Sequence, residues 1–341
     1  MRKTTSFLLQ DAMNARDNRN GYFQNGLDYL QNNSIAGQLN GRQLRFHWNV
    51  NLYIDMTAKC NGKCNFCINS VIFSRKDIPD DRFIKNLEDT FKMIKFIDPS
   101  IQIVGGEPTV NPKRLMAVID LIKKYNMRKP VLGTNGSGIL NRNLLDYVEP
   151  VIEHMNISRH HFDDEKLNRL MGFDNPLNNR ELDKIMKDHP VSKKIRFNCC
   201  LLKDNIDSFE KLKQYINWAM KMGVGNLCFS TLSTLPNDYV YTTEFIAQSK
   251  YYRIDLSSIM AKVNEDPDFS FIKFHTGSHC MYEVWEYRAA SGYCVIVFAT
   301  SNNNFAQELD GFDDLIELLV FHCDGVLAGS WNRNCKVLLD K

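Results

Sequence analysis

The chain has 341 residues, 44% of them hydrophobic and 24% charged, with 42 basic against 40 acidic side chains and a formal charge of +2. That length suits one large α/β domain with an appendage. The near-neutral balance, without a basic run, argues against a nucleic-acid partner. No run approaches the roughly 20 apolar residues that span a bilayer, and the N-terminus turns polar after Leu9 without a secretory apolar core, so a cytoplasmic protein with no membrane partner is expected.

Residues 1–47 form an N-terminal extension rich in Asn, Gln, Arg and Gly, and residues 1–45 read as short helices with loops. From residue 48 to 235, short β-rich runs alternate with helical stretches, as in βα units around a parallel sheet. The runs are Val50–Met56, Ile101–Val104, Val131–Thr134, Met155–Ser158, Ile195–Leu201 and Leu227–Ser230. Ile84, Leu87, Phe91 and Ile94 recur at helical spacing, and Asn111-Pro112 opens the next helix with Pro at a favoured first-turn position. Asp207–Met222 puts Phe209, Leu212, Tyr215, Ile216 and Ala219 on one face and stops at Gly223. Six such units predict a partial (β/α)6 barrel rather than a closed eight-stranded one.

The pattern changes after Pro236. Tyr241–Glu265 reads as one or two helices, followed by the strand-like runs Phe269–Phe274, Tyr282–Tyr287, Tyr293–Ala299, Leu315–Phe321 and Val326–Trp331. Asp324-Gly325 between the last two is a hairpin signal. Residues 236–341 therefore predict a small antiparallel α+β subdomain covering the barrel mouth.

Ten cysteines need a reason in a reducing compartment, where disulfides are rare; metal binding and core packing are the alternatives. Cys60-Asn-Gly-Lys-Cys64-Asn-Phe-Cys67 directly follows the first predicted strand, and loops after strand C-termini build barrel active sites. Three thiolates on one short loop can hold three corners of an iron–sulfur cube and leave the fourth iron open. Structural zinc would want a fourth ligand, and no cysteine pair or His at finger-like spacing follows.

Cys60, Cys64 and Cys67, with Phe66 at the aromatic position, resemble the C-x3-C-x-aromatic-C motif of the radical S-adenosylmethionine (SAM) superfamily. Gly105-Gly106-Glu107-Pro108-Thr109, after the second predicted strand, resembles that superfamily's GGEPT-type motif. The layout from Arg196 to Pro236 is similar to the molybdenum-cofactor GTP cyclase branch, and the likeness extends over Val50–Ser230.

The resemblance implies one 4Fe–4S cluster held by Cys60, Cys64 and Cys67, and SAM chelated at the open iron. It also implies reductive cleavage of SAM to a 5′-deoxyadenosyl radical that abstracts a substrate hydrogen, with the cofactor carrying the chemistry and the protein orienting it. Phe66 is implied to lie near the adenine, and Gly105, Gly106, Glu107 and Pro108 to bind the SAM ammonium. Asn135, in a Thr-Asn-Gly similar to one often seen there, Ser158 and Asn198 are implied as further SAM contacts. Read from the residues alone, each polar one could equally cap a strand end or form a turn. A reductant of the flavodoxin or ferredoxin kind is the implied partner.

Beyond the fourth predicted strand, His160, His161 and Asp163 are candidates for substrate binding or proton transfer, or for capping the helix that starts near Asp163. Cys199-Cys200 and Cys228 lie on predicted strands. Alternation turns one of the adjacent pair inward, so Cys200 joins the catalytic candidates, with core packing as the plainer role. Cys280, Cys294, Cys323 and Cys335 lack the close pairs typical of auxiliary 4Fe–4S clusters, and buried thiols are the commoner fate.

The expected function is therefore a radical SAM enzyme, oxidoreductase or lyase, acting on a peptide or amino-acid side chain. The alternatives are the same chemistry on a nucleotide, sugar or small metabolite, or a non-catalytic iron–sulfur redox sensor or electron carrier. Glu107 with its glycines argues against the last.

Overall fold

The computed structural model describes residues 34–67, 76–232, 243–276, 280–290, 292–301 and 314–340. The first 33 residues of the expected N-terminal extension, and Pro236 with the start of the Tyr241–Glu265 helical segment, lie outside them.

The described residues open with strands β1 (Ser34–Leu39) and β2 (Arg42–Asp55), paired antiparallel. For residues 34–45 this corrects the expectation of short helices with loops. Asn40 and Gly41 both take positive φ, 49° and 77°, and an Asn-Gly pair with that twist is the favoured two-residue hairpin turn.

Helix α1 (Asp80–Ile94), β3 (Ser100–Val104), α2 (Pro112–Tyr125), β4 (Arg128–Thr134), α3 (Arg142–Val148) and β5 (His154–Ser158) follow. Next come α4 (Asp164–Met171), α5 (Asn179–Asp188), β6 (Ile195–Leu201), α6 (Phe209–Lys221) and β7 (Asn226–Thr231). The Asn111 side chain caps α2, and Ser208 caps α6. Strands β2 to β7 are consecutive neighbours, all parallel.

After α7 (Thr243–Tyr252) and α8 (Ser257–Glu265), the remaining strands are β8 (Phe269–Thr276), β9 (Cys280–Ala289), β10 (Gly292–Ser301), β11 (Leu315–Phe321), β12 (Leu327–Ala328) and β13 (Val337–Leu339). They join the sheet at both edges. β10 pairs parallel with β7 and continues antiparallel into β9 and β8, while β11 pairs parallel with β2 and continues antiparallel into β12 and β13. Asp324-Gly325 turns between β11 and β12, with Gly325 at φ 88°. The order β13-β12-β11-β2-β3-β4-β5-β6-β7-β10-β9-β8 describes an open, mixed α/β partial barrel.

Side-chain alternation along the strands separates two environments. Leu52, Ile54, Ile101, Ile103, Ile157, Phe197, Leu227 and Phe229 are fully buried in one core with Phe83, Leu87 and Phe91 of α1 and Leu212, Tyr215 and Ile216 of α6. Phe197 stacks on Trp218 at 5.4 Å between centroids. The alternate positions, Asn156, Ser158, Arg196, Asn198, Cys200, Cys228 and Ser230, turn to the opposite, polar face. The motif residues leave the strands at their C-terminal ends, where barrel active sites form.

Candidate active site

The cysteine loop begins where β2 ends, and its first residues are braced from several sides. Asp77 accepts hydrogen bonds from the Thr57 hydroxyl and, at 2.8 Å, from the Ala58 N–H. Arg114, 2% exposed, donates to Met56 O at 2.8 Å, Ile78 O at 2.5 Å and Asp80 at 2.6 Å. Its guanidinium also lies 4.4 Å from the centre of the Phe83 ring.

Gly105 and Gly106 have a reason that the sequence does not show. Gly105 has φ 143°, and a Cβ on Gly106 would fall 2.1 Å from the Lys59 carbonyl oxygen. Gly106 N–H donates to Thr57 O at 2.7 Å, and Glu107 N–H to Lys59 O at 2.9 Å. The close approach that these glycines permit is thus to the root of the cysteine loop. Further along, Lys63 N–H donates to Met171 O at 2.8 Å, and Gly172, at φ 66°, lets the end of α4 press on Lys63.

Glu107 is 1% exposed. Its Oε1 accepts from Thr109 N at 3.0 Å, Thr109 Oγ1 at 2.6 Å and Thr134 Oγ1 at 2.6 Å, and its Oε2 from Asn135 N at 2.6 Å. Four donors satisfy a buried carboxyl group that would otherwise be costly. Pro108 and Thr109, also buried, belong to the short 3-10 turn that follows. The Asn135 carboxamide donates to Asn61 Oδ1 at 2.7 Å.

Burial raises the Cys60 thiol above its ordinary pKa, with Glu107 and Cys67 adding to the effect. Cys64 is pushed up to about 12 by burial, then by Cys67, Cys60 and Cys200. Thiols this close resist becoming thiolates together unless a positive group enters among them. Among the described residues, no group of three or more His, Cys, Asp or Glu is arranged to hold a metal ion. A cube offers each thiolate its own iron, so three cysteines on one loop fit a cluster better than a structural zinc, which wants a fourth protein ligand.

On the polar face, Ser158 and Asn198 are direct register neighbours on β5 and β6. Asn198 Oδ1 is buried with no hydrogen-bond partner among the described residues. An orphaned buried acceptor calls for a donor from a bound molecule, which fits a cofactor carrying an ammonium, hydroxyl or amino group.

The candidates beyond β5 separate. His160 faces the site: its ring meets Phe66 edge-on at 5.0 Å, and its Nδ1 accepts from Cys200 N–H at 3.0 Å. Burial drives its pKa down to about 4, so the imidazole is neutral at physiological pH. Cys200, pushed up to about 12 by burial, stands in register beside Ser230 and lies near Cys67 and Cys228. His161 and Asp163 serve α4 instead: Asp163 caps its Lys166 N–H at 2.9 Å, and His161 Nδ1 accepts from Asp163 N–H at 2.8 Å. Cys199, Cys294 and Cys323 are buried, and Cys335 is half-buried; the side chain of Cys280 lies outside the described residues.

The braces Asp77, Arg114, Thr134 and Asn61 were not foreseen from sequence. Arg114 alone left a signal, a cation in the first turn of α2, where it opposes the helix dipole.

Residues 54–238 match the family model described as the radical SAM superfamily. No curated protein matches the sequence. Among solved structures, Streptococcus suis SuiB bound to S-adenosylmethionine aligns with TM-score 0.53 and 14% identity, covering 83% of this chain and 60% of that one. SuiB bound to precursor peptide SuiA aligns with TM-score 0.45 and 21% identity, over 54% of this chain and 40% of that one. BtrN in complex with AdoMet and 2-DOIA aligns with TM-score 0.34 and 14% identity, covering 64% and 90%. The chain thus spans 40 to 60% of the SuiB chains it matches, and at these identities the likeness concerns the fold. No helix among the described residues is long and apolar enough to cross a membrane.

Proposed function

The chain belongs to the radical SAM superfamily, and from that premise we propose that Cys60, Cys64 and Cys67 bind its 4Fe–4S cluster and that the enzyme uses SAM to abstract hydrogen from a peptide or amino-acid side chain. The supporting observation is the cysteine triad itself: three mutually destabilising thiols on one loop, seated on Gly105–Glu107 at the C-terminal edge of the sheet. When bound, the cluster supplies the electron that splits the SAM sulfonium, and the adenosyl fragment takes the substrate hydrogen.

This chain's own residues do the rest. Gly105, Gly106, Glu107 and Pro108 fix the end of β3 against the loop, and backbone groups there remain the proposed seat of the SAM amino group. Asn198 and Ser158 offer polar contacts on the polar face of β5 and β6, and Phe66 offers an apolar surface to the adenine. His160 and Cys200 border the adjoining space as the substrate-side candidates, with His160 neutral and able to donate from Nε2. Residues 236–341 are proposed to cover the barrel mouth and exclude water; Trp331 rests on Tyr53 at 4.9 Å, on the face opposite Leu52 and Ile54. SuiB, a relative in fold, is recorded bound to the precursor peptide SuiA, which supports the peptide reading. A flavodoxin- or ferredoxin-type reductant and a cytoplasmic setting complete the proposal.

The test is anaerobic reconstitution followed by iron and sulfide counts and incubation with SAM and dithionite. About four irons per chain and formation of 5′-deoxyadenosine are expected. Both should vanish when the three cysteines are changed to alanine. A loaded cluster that leaves SAM intact would sink the proposal.

A further inference from the structure

The two ring nitrogens of His160 are put to different uses. Its main chain is pinned: the carbonyl accepts from Asn205 Nδ2 at 2.7 Å, while the preceding Arg159 donates its N–H to Asn198 O at 2.8 Å and accepts from the Tyr215 hydroxyl at 2.5 Å. The Nδ1 of His160 accepts from Cys200 N–H at 3.0 Å. A backbone N–H can only donate, so Nδ1 carries a lone pair and the ring hydrogen sits on Nε2. That Nε2 makes no hydrogen bond to a described residue and is not sealed from solvent, in a side chain that is only partly buried. The ring stands nearly perpendicular to Phe66, at 86° with centroids 5.0 Å apart. One donor is thus held ready beside the apolar ring of the cysteine loop.

We propose that His160 reads the adenine of SAM, its Nε2–H donating to a ring nitrogen of the purine that rests against Phe66. The inference depends on the SAM reading given above and narrows it, assigning to the cofactor a residue that position alone left beside the substrate. The chemistry is complementary. The adenine ring offers three acceptor nitrogens, and Phe66 can satisfy none of them. A purine that takes Phe66 as its apolar neighbour brings its rim toward the adjoining imidazole. Because Cys200 fixes the tautomer and the pinned main chain fixes the anchor, little freedom is lost in ordering this donor when the ligand arrives.

The experiment is equilibrium dialysis of SAM against the reconstituted full-length protein without reductant, so that binding is read and no SAM is cleaved. His160→Asn keeps an acceptor for Cys200 N–H but removes the donor; its SAM affinity should fall roughly tenfold, the value of one hydrogen bond. His160→Gln restores an NH2 near the Nε2 position and should stay within about threefold of the wild type. SAM analogues with one purine ring nitrogen at a time replaced by CH locate the bond. One of the three should bind the wild type about tenfold more weakly than SAM, and that gap should close in His160→Asn. A His160→Asn protein that loads its cluster and binds SAM as the wild type does would overturn the proposal. Analogue gaps of equal size in both proteins would do the same, since they mark an indirect effect. If the asparagine variant does not load iron, the wild type decides: three analogues binding as tightly as SAM would overturn the assignment. A loaded wild type that binds no SAM would instead overturn the reading on which it rests.

Discussion

Glu107 Oε2 accepts the Asn135 backbone N–H at 2.6 Å, fastening the end of β4 to the end of β3 beside Cys60. With the three bonds to Oε1, this makes Glu107 a structural tie whatever else it contacts. Glu107→Gln keeps the size but sets its one NH2 against donors, either the Asn135 N–H or the Thr109 and Thr134 groups. The metal-free protein should lose about 2–3 kcal/mol in urea unfolding. An unchanged midpoint would mean that the four bonds contribute nothing net.

Gly106→Ala should be among the most disruptive single-methyl changes in the chain, since its Cβ would meet the Lys59 carbonyl oxygen at 2.1 Å. The backbone on either side must move, at a cost of about 3 kcal/mol or more. Iron bound after reconstitution should fall with it. Gly225→Ala is the control, because its nearest neighbour would stand at 3.7 Å.

Arg114→Lys tests the clamp. One ammonium cannot reach Met56 O, Ile78 O and Asp80 as the planar guanidinium does, so the conservative change should cost about 2–4 kcal/mol by thermal or urea melting.

His161 sets a pH dependence. Burial, then the nearby Lys166, holds its pKa down to about 4, against about 6.5 in the unfolded chain. Between those values the unfolded chain binds a proton and the folded one does not, so stability falls as pH drops from about 6.5 to about 4 and levels off below. The contribution is on the order of 2–3 kcal/mol. His161→Gln should reduce, without abolishing, the slope of the urea-midpoint profile between pH 7 and pH 4.5, because His160 carries the same downward shift.

Asn198→Ala should separate stability from binding. Removing a buried acceptor that has no partner among the described residues should leave unfolding nearly unchanged, whereas SAM affinity should drop roughly tenfold, the value of one hydrogen bond. Equilibrium dialysis against SAM with the reconstituted protein provides the measurement. Equal affinity would remove Asn198 from the SAM site.

The βα alternation and the cysteine loop were legible because both are local. A strand's alternation, a helix's spacing and three thiols within eight residues show themselves without any knowledge of distant partners. The β1–β2 hairpin was missed although Asn40-Gly41 marked it, because the polar flanks of that turn hid the strand alternation. The edge positions of the C-terminal strands were not legible at all. β10 beside β7 and β11 beside β2 are pairings between segments far apart in sequence, and nothing in either segment names its neighbour.

The sequence by itself determined that this chain carries a three-thiol loop and a Gly-Gly-Glu turn on successive strands of a parallel sheet, since those follow from residue type and spacing. Only the tertiary structure decided what the turn is for. Gly106 lies against Lys59 and Glu107 turns toward Asn135 because packing puts the ends of β2, β3 and β4 side by side. A buried carboxylate must take whatever donors stand within reach, and those donors are chosen by the fold.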